Sequence, residues 1–149
     1  MTDLADTLGR IAARLREAEA PLSDHVIDSE ERPVFGLLAA LGPRSAAAPA
    51  EYSFVVEAVR EGYLLHYGTP RLLAGHDGDL ALLAGDYLYA LGIDHLGALG
   101  DTEAVGVLGD LIGRCAQLHS EERPDEVTQL WRSAALAVGG RDHGRTTAA

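Results

Sequence analysis

Residues 79–118 read DLALLAGDYLYALGIDHLGALGDTEAVGVLGDLIGRCAQL, and this stretch decides the fold. Leu80, Leu83, Tyr87, Leu88, Leu91 and Leu99 recur mostly at three- and four-residue steps, which predicts a helix with one buried face. Gly100 suits the C-terminal cap of that helix. Asp101 suits the N-cap of the next, accepting a free backbone N–H. Val105, Leu108, Leu111, Ile112, Cys115 and Leu118 repeat the spacing in a second helix. Gly85, Gly92, Gly106, Gly109 and Gly113 interrupt the two helices, each at a cost of about 1 kcal/mol against alanine. The compensation expected is close approach of a neighbouring backbone. Leu83, Gly85, Leu88, Leu91, Leu108 and Ile112 are therefore expected in the core or at a subunit interface.

Outward from this hairpin the rest of the chain reads as helix as well. Leu4, Leu8, Ile11 and Leu15 mark a first amphipathic helix ending before Pro21. Pro33 can open a second that runs to Leu41 and stops at Gly42-Pro43. Glu51 to His66 makes a third, with Phe54, Val55, Ala58, Val59 and Leu65 inward. Arg71 to Gly78 reads as a short helix or turn, and Glu126 to Val138 as a last helix. No strand-like alternation persists, so the class is all-α, a bundle of roughly six helices. At 149 residues the chain suits a single helical domain over 1–138, followed by a flexible tail over 139–149.

Composition narrows the partners. The net charge of −11 disfavours nucleic acid and anionic lipid, which carry the same sign. No run reaches the roughly 18 apolar residues of a membrane span. The N-terminus, MTDLADTLGR, is acidic and amphipathic and unlike a signal peptide. One cysteine, Cys115, excludes an internal disulfide and fits a cytoplasmic protein. Its place on an apolar helix face makes it a small core residue.

The local metal candidates are Asp79 and Asp86, about two turns apart on one helix face, with His76 nearby. The competing reading makes Asp77 or Asp79 an N-cap, and Asp86 a partly buried carboxylate that needs a donor. His66, His95 and His119 stand singly on separate helices, without the paired spacing of a zinc or di-iron site. No nucleophile elbow, phosphate-binding loop or Cys-x-x-Cys pair occurs. Trp131 and the tyrosines Tyr52, Tyr63, Tyr67, Tyr87 and Tyr89 read as core or as the lining of a cavity.

Three segments, in order, resemble a known family. Glu31-Arg32-Pro33 precedes Leu37-Leu38-Ala39-Ala40, Leu83-Ala84-Gly85-Asp86-Tyr87-Leu88 leads to Leu99-Gly100-Asp101, and Trp131-Arg132-Ser133-Ala134-Ala135-Leu136 follows. From about Asp28 to Gly140 their order and approximate spacing are similar to the N-terminal half of the trans-polyprenyl diphosphate synthases. Those all-α enzymes condense isopentenyl diphosphate onto an allylic diphosphate with Mg²⁺ and commonly dimerise through the central hairpin.

The resemblance keeps Arg32-Pro33 of the diphosphate-gripping Gly-Lys-x-x-Arg-Pro motif, but the lysine position is acidic. Leu65-His66 is not followed by the first aspartate-rich motif. Arg132-Ser133 stands where the family has Lys-Thr. The second aspartate-rich motif lies in the C-terminal half, outside the matched segments. The resemblance thus implies the isoprenoid synthase fold with Arg32 and Arg132 left as substrate-binding residues and no catalytic residue. It is similar to a non-catalytic small subunit of a heteromeric polyprenyl diphosphate synthase. A catalytic partner subunit would then supply the Mg²⁺ site, and a homodimer is possible through the same hairpin. The other function expected of such a bundle is a binding module for an isoprenoid or other apolar ligand, without catalysis.

Overall fold

The computed structural model describes residues 4–141. Among these the regular structure is helical. The α-helices are α1 (Thr7–Arg16), α2 (Val34–Ala40), α3 (Pro49–Tyr67), α4 (Gly78–Ala98), α5 (Thr102–Ser120) and α6 (Val127–Val138). The all-α bundle expected from periodicity is what forms. Residues 71–77 are the exception: they form no helix but bend, with Gly75 at φ +71°, and Leu73 makes an isolated antiparallel bridge with Val26.

α3 is the centre. Every residue from Tyr52 to Val59 is buried. One side of α3 sends Val55, Val56 and Val59 into a core shared with α5 and α6, around Leu108, Leu111, Cys115 and Trp131. The other side sends Phe54, Ala58 and Leu65 into a second core, around Ile11 and Leu15 of α1 and Leu80, Ala84 and Leu88 of α4. A helix lying between two cores needs apolar residues all round, which erases amphipathic periodicity.

The helix ends follow local chemistry. Asp77 caps α4 by accepting from the Leu80 N–H at 2.8 Å, and Asp101 caps α5 by accepting from the Ala104 N–H at 3.0 Å. Gly100 takes φ +79°, and the Asp101 N–H reaches back to the Leu96 carbonyl, closing α4. Tyr52 donates to Asp101 at 2.7 Å and Arg44 pairs with the same carboxylate, so this cap also ties the α4–α5 corner to the 41–48 connector. Burial raises the Asp101 pKa, but the Tyr52 hydroxyl, the Ala104 amide and Arg44 outweigh it and hold the carboxyl below its ordinary value.

After α6, Gly139 is buried against Gly42, and its carbonyl accepts the Arg44 N–H. Ordered chain thus continues from the expected domain end to Arg141, and the rest of the expected tail, residues 142–149, lies outside the described residues.

The buried face of α4 differs from the expected one. Leu83 and Leu99 are 61% and 38% exposed, whereas Leu80, Ala84, Gly85, Leu88, Gly92 and Leu96 are buried. α4 is apolar on nearly all sides, so leucine spacing does not select a face; the small residues do. A Cβ on Gly62 of α3 would lie 2.9 Å from the Gly85 carbonyl, and one on Gly85 would lie 3.0 Å from the Gly62 carbonyl. The two backbones meet where neither carries a side chain.

The same test corrects the expectation for α5. Gly106, Gly109 and Gly113 have nothing within 4 Å of an added Cβ and are exposed. Alanine in place of the paired glycine Gly62 should therefore lower stability by about 1–3 kcal/mol through overpacking. Alanine at Gly113 should raise it by about 1 kcal/mol through helix propensity. Urea unfolding of the two variants measures both, and equal effects would refute the distinction.

Candidate functional site

Two features stand out from the packing: a buried ion cluster on α3, and the outward surface of the α4–α5 hairpin. The first was not legible as a site. Glu57 and Glu61 sit one helical turn apart on α3, and both are fully buried. Arg71, on the segment after α3, pairs with Glu57 at 2.7 Å and with Glu61 at 2.8 Å. The Arg71 and Leu72 amides donate to Glu61 at 2.7 and 2.8 Å, and the Gly36 amide of α2 donates to Glu57 at 2.8 Å. All four carboxylate oxygens are bonded, so the cluster meets the requirement that buried charge be paired. The pull of burial on the Arg71 guanidinium is outweighed by the two glutamates, which raise its pKa above the ordinary arginine value. The one available sequence signal was a pair of glutamates inside a helix otherwise apolar on every side.

Arg60, one turn from Glu57 on α3, lies over Phe35, Tyr63 and Trp131 with its guanidinium carbon 4.8, 5.1 and 5.0 Å from the ring centres. Arg32, Arg60, Arg71, Phe35 and Leu64 line a cleft of about 320 Å³ beside the cluster, with the exposed Glu31 at its edge. Arg132 is exposed on α6 and does not line this cleft. The two arginines that the sequence pairs as substrate-binding residues are therefore not brought together there.

The metal candidates separate as well. Asp79 is exposed in the first turn of α4, beside the hollow lined by His25, His76 and Asp77. Asp86, expected to be partly buried, is 74% exposed on its side chain, and His66 lies 3.2 Å from it. The reason is its register: Asp86 follows Gly85, the residue that faces α3, and so falls on the rim. Among the described residues no three His, Cys, Asp or Glu side chains converge to hold a metal ion. Cys115 is buried and its thiol is pushed up to about 11 by burial, an environment that suppresses thiolate chemistry. His119 accepts or donates to the Tyr63 hydroxyl at 2.7 Å and stacks on Tyr67 at 4.1 Å, at the edge of the core.

The hairpin surface is the second feature. Gly85, Leu88 and Leu108 are buried, Leu91 and Ile112 are half-buried, and Leu83 is exposed beside Leu82. On α5 the outward residues Thr102, Gly106, Gly109, Gly113, Ala116 and Ser120 are all exposed. Their spacing alternates between three and four, so they form one small-residue stripe along the helix. No family model, curated protein or solved structure matches the chain.

The ion cluster yields a direct test. Methionine at Arg71 leaves two buried carboxylates without their cation and should cost about 3–5 kcal/mol. Desolvation would then raise the glutamate pKa values in the folded variant above those in the unfolded chain. The native state would bind the extra protons, so the variant should regain stability as pH falls from 8 toward 5. Thermal melts across that range check the sign, and a pH-independent deficit would contradict it.

Proposed function

We propose that this chain is a non-catalytic subunit of a heteromeric polyprenyl diphosphate synthase that supports prenyl chain elongation by a catalytic partner. The resemblance of Glu31-Arg32-Pro33, the central hairpin and the Trp131–Leu136 segment to that family supplies the system. The observation that carries the subunit role is the exposed glycine stripe of α5. Three interior helix glycines cost about 3 kcal/mol together, and among the described residues no neighbour uses the space they leave. Glycine permits backbones to approach closely, so the stripe suits a helix from another subunit. Exposed Leu82 and Leu83 on the adjacent helix add apolar area to the same hairpin.

Electrostatics supports a dependent role. Two diphosphates bring several negative charges into one site, and catalysis of their ionisation needs metal ions held by carboxylates on facing helices. Among the described residues neither Asp79 nor Asp86 belongs to a group of three side chains that could form such a set. Substrate and Mg²⁺ binding therefore fall to the partner, and the isolated chain should make no prenyl product from isopentenyl and allylic diphosphates with Mg²⁺. The apolar-ligand reading has less to rest on. The hollow beside Tyr87 and Leu91 is open to solvent and does not include Phe54, which is buried in the core.

The decisive experiment is co-purification with a full-length synthase from the same genome. Leucine at Gly109 should leave the isolated chain at least as stable as before, because nothing among the described residues lies within 4 Å of that position and leucine is the better helix former. It should abolish assembly and the prenyl synthesis that depends on it. Assembly of Gly109→Leu at wild-type affinity, or failure of the native chain to bind any full-length synthase, would overturn the subunit reading.

A further inference from the structure

We infer that the cleft beside the ion cluster binds a small organic monocarboxylate, with its carboxylate on Arg60 and Arg71 and its apolar body against Phe35 and Leu64. The inference does not depend on the subunit assignment. It begins with an orphan donor: the Arg71 side chain is only 8% exposed, yet its Nη2 has no hydrogen-bond partner among the described residues. A buried guanidinium nitrogen without an acceptor is costly and signals a missing partner.

Apart from Glu31 at the edge and the Thr69 hydroxyl, the lining side chains with hydrogen-bonding capacity to spare are donors. Every oxygen of Glu57 and Glu61 already accepts from Arg71 or a backbone amide. Arg60 lies on three aromatic rings and, among the described residues, has no carboxylate in ion-pair range. Burial is the main cause holding its pKa below the ordinary arginine value, so its charge is poorly compensated. Arg32 at the mouth also has no side-chain partner among the described residues. A wall of unmatched donors is complementary to an acceptor-only group, and the planar guanidinium fork fits a carboxylate.

Charge and size set the ligand class. Arg32, Arg60 and Arg71 are balanced by Glu31, Glu57 and Glu61, so the empty cleft is close to neutral and matches one negative charge better than three. At about 320 Å³ it lies at the small end of ligand pockets. Phe35 and Leu64 make its apolar side.

Trp131 is the only tryptophan in the chain and touches Arg60, so it reports on the cleft. Titration of the full chain with butyrate should change Trp131 fluorescence saturably, with a dissociation constant on the order of millimolar. Butyramide, which has the same shape and no charge, should produce no change. Lysine at Arg60 keeps the charge but loses the fork, and should weaken butyrate about tenfold. Glutamine at the exposed rim residue Glu31 should tighten it about threefold by removing a like charge, without disturbing the fold. Three results would each overturn the inference: an equal response to chloride at matched ionic strength, an Arg60→Lys variant that binds as wild type, or inorganic diphosphate binding more tightly than butyrate. The last would return the cleft to the diphosphate role that the resemblance gives Arg32.

Discussion

The structure depends on the pairing of Arg71 with Glu57 and Glu61. α3 is enclosed by other elements over most of its length, and a helix so placed tolerates charge only if it is fully matched. The two glutamates meet that condition by drawing in two separate pieces of chain: residues 71–72, through the Arg71 guanidinium and the Arg71 and Leu72 amides, and the first turn of α2 through Gly36. The pairing therefore fixes α2 and the 71–77 segment against α3. That segment leads directly into the Asp77 cap, so the starting point of α4 is set by the same cluster.

From that start, α4 lies on α3 where Gly62 and Gly85 let the backbones approach, and Gly92 continues the contact against Val55 and Val59. This choice of face turns Leu82, Leu83 and Asp86 outward. The Asp101 corner then returns the chain as α5, whose Leu108, Leu111 and Cys115 pack on Trp131 and the valines of α3. Gly106, Gly109 and Gly113 of α5 fall on the opposite side and, among the described residues, meet nothing. Two sets of helix glycines thus serve different ends: one is filled within the fold, and the other is left open for the subunit contact proposed above.

Much of this was legible in the sequence, for stated reasons. Gly100 and Asp101 mark the hairpin because cap chemistry is local, and both act as their residue types require. α1 and α5 show their faces because each packs on one side only, so Ile11, Leu15, Leu108 and Cys115 keep helical spacing. The face of α4 was not legible, since a helix rich in leucine on all sides is oriented by its partner's glycines. The ion cluster is not legible because Glu57 and Glu61 are exposed residue types by default, and only the burial of α3 from both sides makes them internal. Of the short helix or turn expected from Arg71 to Gly78, no helix forms before Gly78: the segment bends, and Glu61 holds two successive amides at its start. Function is less legible than fold: its proposed reading rests on short motifs in order and on a helix surface that no described residue covers.

Amide hydrogen exchange tests most directly whether the α3 carboxylates organise the surrounding chain. The Gly36, Arg71 and Leu72 amides sit in a short helix and a non-helical segment, where local structure alone gives little protection. If Glu57 and Glu61 hold them as described, these amides exchange only when α3 itself unfolds, with the same opening free energy as Val55 and Val59. Exchange of Arg71 and Leu72 at the rate of the exposed Thr69 amide would contradict the account.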